Sequence, residues 1–164
     1  MSGSARLEAL ARLEVFVGDW EVEASFPGVP AQGPAGSGSA AGSAPLGHST
    51  FAWILEGSFL MQRTEVPVPD APDSLAIVSV DPDTGGYTQH YYDSRGVARL
   101  YAMSLTDGVW QLLRDRADFT PLSFQQRYTG TFGSDQDTIH GAWQKSVNGA
   151  SWEHDFTLTY RRVR

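Results

Sequence analysis

From Trp20 onward the chain keeps a period of two: apolar and polar residues alternate in short runs, with turn-forming residues between them. Trp20, Val22, Ala24 and Phe26 alternate with Glu21, Glu23 and Ser25, the pattern of a strand buried on one face. Further runs of this kind lie at 48–55, 58–66, 75–80, 87–92, 97–105, 109–115, 123–132, 138–146 and 151–162. Between them stand Glu56-Gly57, a loop from Pro67 to Asp73, Asp81-Pro82-Asp83-Thr84-Gly85-Gly86, Asp93-Ser94-Arg95-Gly96, Asp107-Gly108, Thr120-Pro121, a turn from Gly133 to Asp137, and Asn148-Gly149. Asp-Gly and Asn-Gly accept the positive φ that tight hairpins require. About ten strands on short connections make a meander, because sequential neighbours usually pair. A meander of that length has to curl and close to remove its edges. The predicted fold class is all-β: an antiparallel up-and-down barrel of about ten strands.

The start of the chain follows another period. Ser4 can cap a helix, and Leu7, Leu10, Leu13 and Phe16 recur at helical spacing, which predicts a short N-terminal helix over 4–16. Three turns are marginal alone, so the apolar stripe has to dock on the barrel. Residues 28–47 are almost entirely Gly, Ala, Ser and Pro without charge, and are read as a flexible loop between two strands. The segment from Trp20 to Phe26 is too small to stand as a domain, so 1–164 is read as one domain.

Composition narrows the function. Twelve Lys and Arg against nineteen Asp and Glu give a net charge of −7, unlike a surface built to neutralise phosphates. No nucleic-acid partner is expected. No polybasic anchor and no apolar run near the ~20 residues of a bilayer span appear, so no membrane partner is expected and a cytoplasmic location is the default. The absence of cysteine rules out disulfides, thiolate catalysis and Cys-ligated metals. The four histidines, His48, His90, His140 and His154, form no local metal motif, and no nucleophile elbow, dinucleotide cradle or P-loop is present. No metal and no cofactor are expected.

Three motifs in order carry a resemblance. A short helix leads into Gly18-Asp19-Trp20, and the last strand ends in Arg161-Arg162. Leu55-Glu56-Gly57-Ser58-Phe59-Leu60 follows, and then Val80-Asp81-Pro82-Asp83-Thr84-Gly85-Gly86-Tyr87. Together they resemble the calycin superfamily, which includes lipocalins, fatty-acid-binding proteins and nitrobindin-like barrels. They are most similar to a bacterial group within it whose central turn has Tyr where this chain has Val80. The resemblance covers about residues 5–162 apart from the low-complexity loop. It implies the barrel fold and a structural role for Gly18, Trp20 and Arg162, with the Trp under an Arg from the final strand at the closed end. Strand parity favours Arg162 over Arg161, since it alternates with Tyr160 and Leu158. A guanidinium over an indole gains a cation–π contact. The resemblance transfers no catalytic residue, and none is identified.

Four residues are candidates to line a pocket. Arg99 and Tyr101 share one face of a strand, as the carboxylate-holding pair of fatty-acid-binding barrels does. Tyr91 shares a face with Tyr87 and Gln89. His154 shares the parity of Phe156 and Leu158 on the last strand. Gln62, and Gln126 with Tyr128, are further polar groups with a route inside. Ten strands lean toward a cavity, since narrower barrels fill with side chains. The expected function is binding of a small apolar or weakly acidic organic ligand inside the barrel. The alternatives are a cyclase- or isomerase-type enzyme using the same pocket, nitrobindin-like haem binding through His154, and a filled barrel acting in assembly. Besides the ligand, the one protein partner considered is a second copy of the chain, as a homodimer.

Overall fold

The computed structural model describes residues 2–27 and 46–164. Helix α1 (Ser2–Arg12) runs into a 3-10 turn (Leu13–Phe16), and ten strands follow. They are β1 (Gly18–Ser25), β2 (Gly47–Ile54), β3 (Phe59–Glu65), β4 (Ser74–Val80), β5 (Tyr87–Asp93), β6 (Ala98–Thr106), β7 (Val109–Arg114), β8 (Gln125–Phe132), β9 (Thr138–Ser146) and β10 (Glu153–Arg162). Each strand pairs antiparallel with its sequence neighbours, and β1 pairs with β10, so the sheet closes into a barrel without free edges. This is the all-β meander with a short N-terminal helix that the alternation predicts. The low-complexity loop falls almost wholly outside the described residues, apart from Leu46 and Gly47, where β2 begins.

The helical segment plugs one end. Leu13 and Phe16 are fully buried, and the Phe16 ring packs against Phe51, Trp110 and Phe132. Tyr87 donates its hydroxyl to the Ala9 carbonyl (2.6 Å), and Trp53 Nε1 donates to Glu14 (2.7 Å), tying β5 and β2 to the plug. The β3–β4, β5–β6, β7–β8 and β9–β10 connections lie at the other end, the open end, which no helix among the described residues covers.

Between plug and opening, the core is packed by aromatics at close quarters. The Tyr128 ring lies over Gly130 and Gly141, which pair across β8 and β9. A Cβ on Gly141 would stand 2.1 Å from the Tyr128 hydroxyl, and one on Gly130 would stand 2.7 Å from it. These two positions need glycine for space, not for backbone angle. Gly141→Ala is therefore expected to cost about 1–3 kcal/mol through overpacking, read as a lower midpoint in chemical denaturation. An unchanged midpoint would mean that the Tyr128 ring moves aside freely.

Candidate functional site

Pairing registers fix which residues face inward. The buried row Leu60, Val78, Gln89 and Tyr101 runs across β3 to β6, and Gln62, Ala76, Tyr91 and Arg99 form the next row toward the open end. On the far wall, Gln126, Tyr128, Trp143 and Phe156 share the inner face of β8 to β10. Near the plug the inward side chains are buried, whereas Tyr91, Arg99, Gln126, Trp143 and Phe156 keep partial exposure. Toward the open end, then, the inward side chains of the described residues meet solvent.

Arg99, Tyr101 and Tyr91 come together there. Arg99 Nη1 and the Tyr101 hydroxyl (3.0 Å) both donate to the same oxygen, Gln126 Oε1. The Arg99 guanidinium also lies over the Phe124 ring, 5.4 Å from its centroid. Tyr91 and Tyr101 meet edge to face at 6.3 Å, and Tyr101 meets Trp143 at 5.5 Å. Trp143 stacks with Phe156, and Phe156 with Phe26, which extends the aromatic wall to the rim. Tyr91 donates to Asp93 (2.9 Å), and the Asp93 carboxylate is in turn held by Arg95 Nη2 (2.8 Å).

Burial pushes both phenols above their ordinary values, and for Tyr91 the hydrogen bond to the Asp93 carboxylate adds to it. Near neutral pH both therefore stay protonated donors. Among the described residues Arg99 has no carboxylate within ion-pair distance, although Arg95, Arg114, Arg161, Arg162 and Arg164 each have one. Among the described residues its hydrogen bond goes to a neutral amide oxygen.

His154 is not part of this group. The β9–β10 register slips between His154 and Phe156, a bulge at Asp155. Phe156 pairs with inward Trp143, but His154 pairs with Gln144 on the outside and is exposed. Simple alternation carried through the bulge places it on the wrong face. His48, His90 and His140 also alternate with inward neighbours and lie on the outer wall. Among the described residues no cluster of His, Asp and Glu has the form of a metal site. Two shallow clefts of about 290 and 340 Å³ open on the outside of the wall, and neither includes Arg99.

Of the structural trio, Trp20 and Arg162 are directly opposed in the closing β1–β10 pair. The guanidinium carbon stands 4.2 Å from the Trp20 ring centroid. Gly18 adopts φ +129°, and a Cβ there would stand 3.0 Å from Arg162 Nη1, so the glycine leaves room for the arginine. Trp143 and Asp93 are members of the site that the sequence reading passed over. The signal was available for Trp143, which shares its face with Gly141 and Ile139.

No helix among the described residues is long and apolar enough to cross a membrane. No family model matches the chain, and no curated protein matches it. Among solved structures, the chain is similar to the crystal structure of Rv2717c from M. tuberculosis, with a TM-score of 0.58 at 17% identity over 95% of this chain and 98% of that one. At that identity the likeness is one of fold, a barrel of the same overall course.

Proposed function

We propose that the chain is a calycin-type barrel that binds a small aromatic organic acid in the recess at its open end. The observation that carries the reading is Arg99: a guanidinium on the inner face, without a carboxylate partner among the described residues, beside a protonated Tyr101 phenol. Arginine has five donors in a planar fork suited to a carboxylate, and among the described residues Gln126 engages one of them. The walls around it are rings, so the body of the ligand is aromatic or otherwise flat and apolar. The Trp20–Arg162 stack and the plugging helix support the calycin assignment. An enzyme in the same recess would need a group titrating near its working pH, whereas the two phenols are pushed away from it.

Titration with 1-anilinonaphthalene-8-sulfonate, an aromatic anion that brightens out of water, tests the reading. One site per chain is expected, displaced by 3-phenylpropanoate. Arg99→Gln should weaken both by about tenfold or more, the loss of one charge-assisted contact. Equal affinity in wild type and Arg99→Gln would overturn the proposal.

A further inference from the structure

The β5–β6 turn fixes the direction of one proton on the inner wall. Tyr91, half-buried on the inner face of β5, donates its hydroxyl to Asp93 Oδ2 (2.9 Å) two residues along the same strand. That carboxylate is fixed in its turn by Arg95. Arg95 Nη2 donates to Oδ2 (2.8 Å), and its Nε (3.4 Å) and backbone N–H (2.9 Å) donate to Oδ1. The Asp93 side chain is sealed from solvent, while that of Arg95 is exposed. Burial pushes the Asp93 carboxyl up, but the hydrogen bonds from Arg95 and Tyr91 outweigh it and hold the group below its ordinary value. Near neutral pH Asp93 is therefore a carboxylate, which accepts and cannot donate. Anchoring a tight turn accounts for the bond from the Arg95 N–H. It does not account for a tyrosine drawn from the inner face.

A phenol has one proton and two lone pairs. With the proton committed to Asp93, Tyr91 can only accept from a molecule that meets it inside the wall. Its bond to a carboxylate makes the oxygen a better acceptor. The position of Arg99 sets where the accepted hydrogen has to lie. Tyr91 and Arg99 are direct partners across β5 and β6, so their Cβ atoms start about 4.5–5.5 Å apart. Tyr101 links them, since its ring meets Tyr91 and its hydroxyl shares Gln126 Oε1 with Arg99. Two neighbouring side chains address neighbouring groups of one small molecule. A carboxylate at Arg99 and a donor on the adjoining carbon satisfy both, whereas a donor at the remote end of the molecule reaches neither.

We infer that Tyr91 is a specificity-determining residue for the acid bound at Arg99, with Asp93 as its positioning residue, and that the ligands are aromatic acids with a hydroxyl on the carbon next to the carboxylate. The inference rests on the carboxylate reading of Arg99. The 2-hydroxyl donates to the Tyr91 oxygen as the carboxylate meets the guanidinium, and the ring lies against Tyr101 and Trp143.

The test compares 3-phenylpropanoate with each enantiomer of 2-hydroxy-3-phenylpropanoate and of 2-methoxy-3-phenylpropanoate. Each acid is titrated calorimetrically into wild type, Tyr91→Phe, Asp93→Asn and Arg99→Gln. Wild type should bind one hydroxy enantiomer about tenfold more tightly than 3-phenylpropanoate, and the methoxy acids no better than it. Tyr91→Phe, which leaves the Asp93–Arg95 contacts in place, should abolish that preference and keep the affinity for 3-phenylpropanoate. In Asp93→Asn the amide can donate as well as accept, which frees the Tyr91 proton to turn inward. The hydroxy-over-methoxy ratio should then fall by about threefold or more. Arg99→Gln should weaken all the acids and keep the hydroxyl preference. A preference that survives Tyr91→Phe, or none in wild type while the Arg99 dependence holds, overturns the Tyr91 inference and leaves the carboxylate reading intact. A ratio unchanged in Asp93→Asn overturns the positioning role of Asp93. Failure of every acid to bind wild type overturns the carboxylate reading, and this inference with it.

Discussion

Replacing Trp20 by alanine should lower stability by about 3–5 kcal/mol, the range for emptying a buried aromatic site. For a chain of this size that corresponds to roughly 6–20 °C in melting temperature. Trp20 is fully buried, its Nε1 donates to the Phe16 carbonyl (2.8 Å), and its ring meets Phe132 edge to face. The substitution therefore loosens the plug and the β1–β10 closure together. Arg162 covers the other side of the ring. It donates to Asp137 Oδ1 (2.9 Å) and to the carbonyls of Val17 (2.6 Å), Val15 (2.7 Å) and Gln136 (3.2 Å). One side chain thus satisfies carbonyls of the helix-to-strand connection and of the β8–β9 turn. Arg162→Ala should cost about 2–3 kcal/mol, mainly from the buried acceptors it leaves unpaired. The pair should couple by at least about 0.5 kcal/mol in a double-mutant cycle followed by urea unfolding. Effects that add within about 0.3 kcal/mol would show that the stacked geometry carries no energy of its own.

The barrel was legible because its information is local. Alternation sets the inner face of each strand, and dipeptides such as Asp107-Gly108 set the turns. Both of those residues have positive φ, +52° and +75°, as a two-residue hairpin demands. The inward direction of Arg99, Tyr101 and Tyr91 follows from the same parity once the strands are placed. Parity fails at His154 because a bulge adds one residue without a strong sequence mark. Asp155 between His154 and Phe156 looks like any polar strand residue. Gln126 as the shared acceptor of Arg99 and Tyr101 was not legible as such, since it comes from β8, where it pairs with Arg114, the last residue of β7. A contact made past the last residue of a strand depends on where β7 stops, and turn residues locate such ends only within a few positions.

The point where β7 stops is also where the second large effect is expected. β7 pairs with β6 only as far as Ala102, leaving β6 residues beyond it without a strand on that side. Asp118, from the loop that follows β7, fills the gap with a carboxylate. It accepts the Leu100 backbone N–H (3.0 Å) and receives Arg114 Nε (2.7 Å) and Nη2 (2.9 Å) in a two-pronged pair. Both side chains are nearly sealed from solvent, at 3% exposure for Arg114 and 2% for Asp118. The Arg114 guanidinium also reaches the Phe124 carbonyl and Thr120, so it braces the loop that carries Phe124 to its place under Arg99. Removing one partner of such a pair strands the other charge, at a cost of about 3–5 kcal/mol, which is the expectation for Asp118→Ala. The Arg114 hydrogen bonds hold the Asp118 carboxyl well below the usual carboxylate range, more than offsetting the opposite push from burial. With the folded-state value depressed, this stabilisation is complete above the unfolded-state value of about 3.9. It is lost as pH falls from there toward the folded-state value. Unfolding free energies of wild type and Asp118→Asn should differ most above about pH 5 and converge as the solution is acidified below about pH 4. A gap that stays constant down to about pH 2 would mean that the carboxylate acts by shape and hydrogen bonding alone. The charge of Asp118 would then have no part in holding the loop against the barrel.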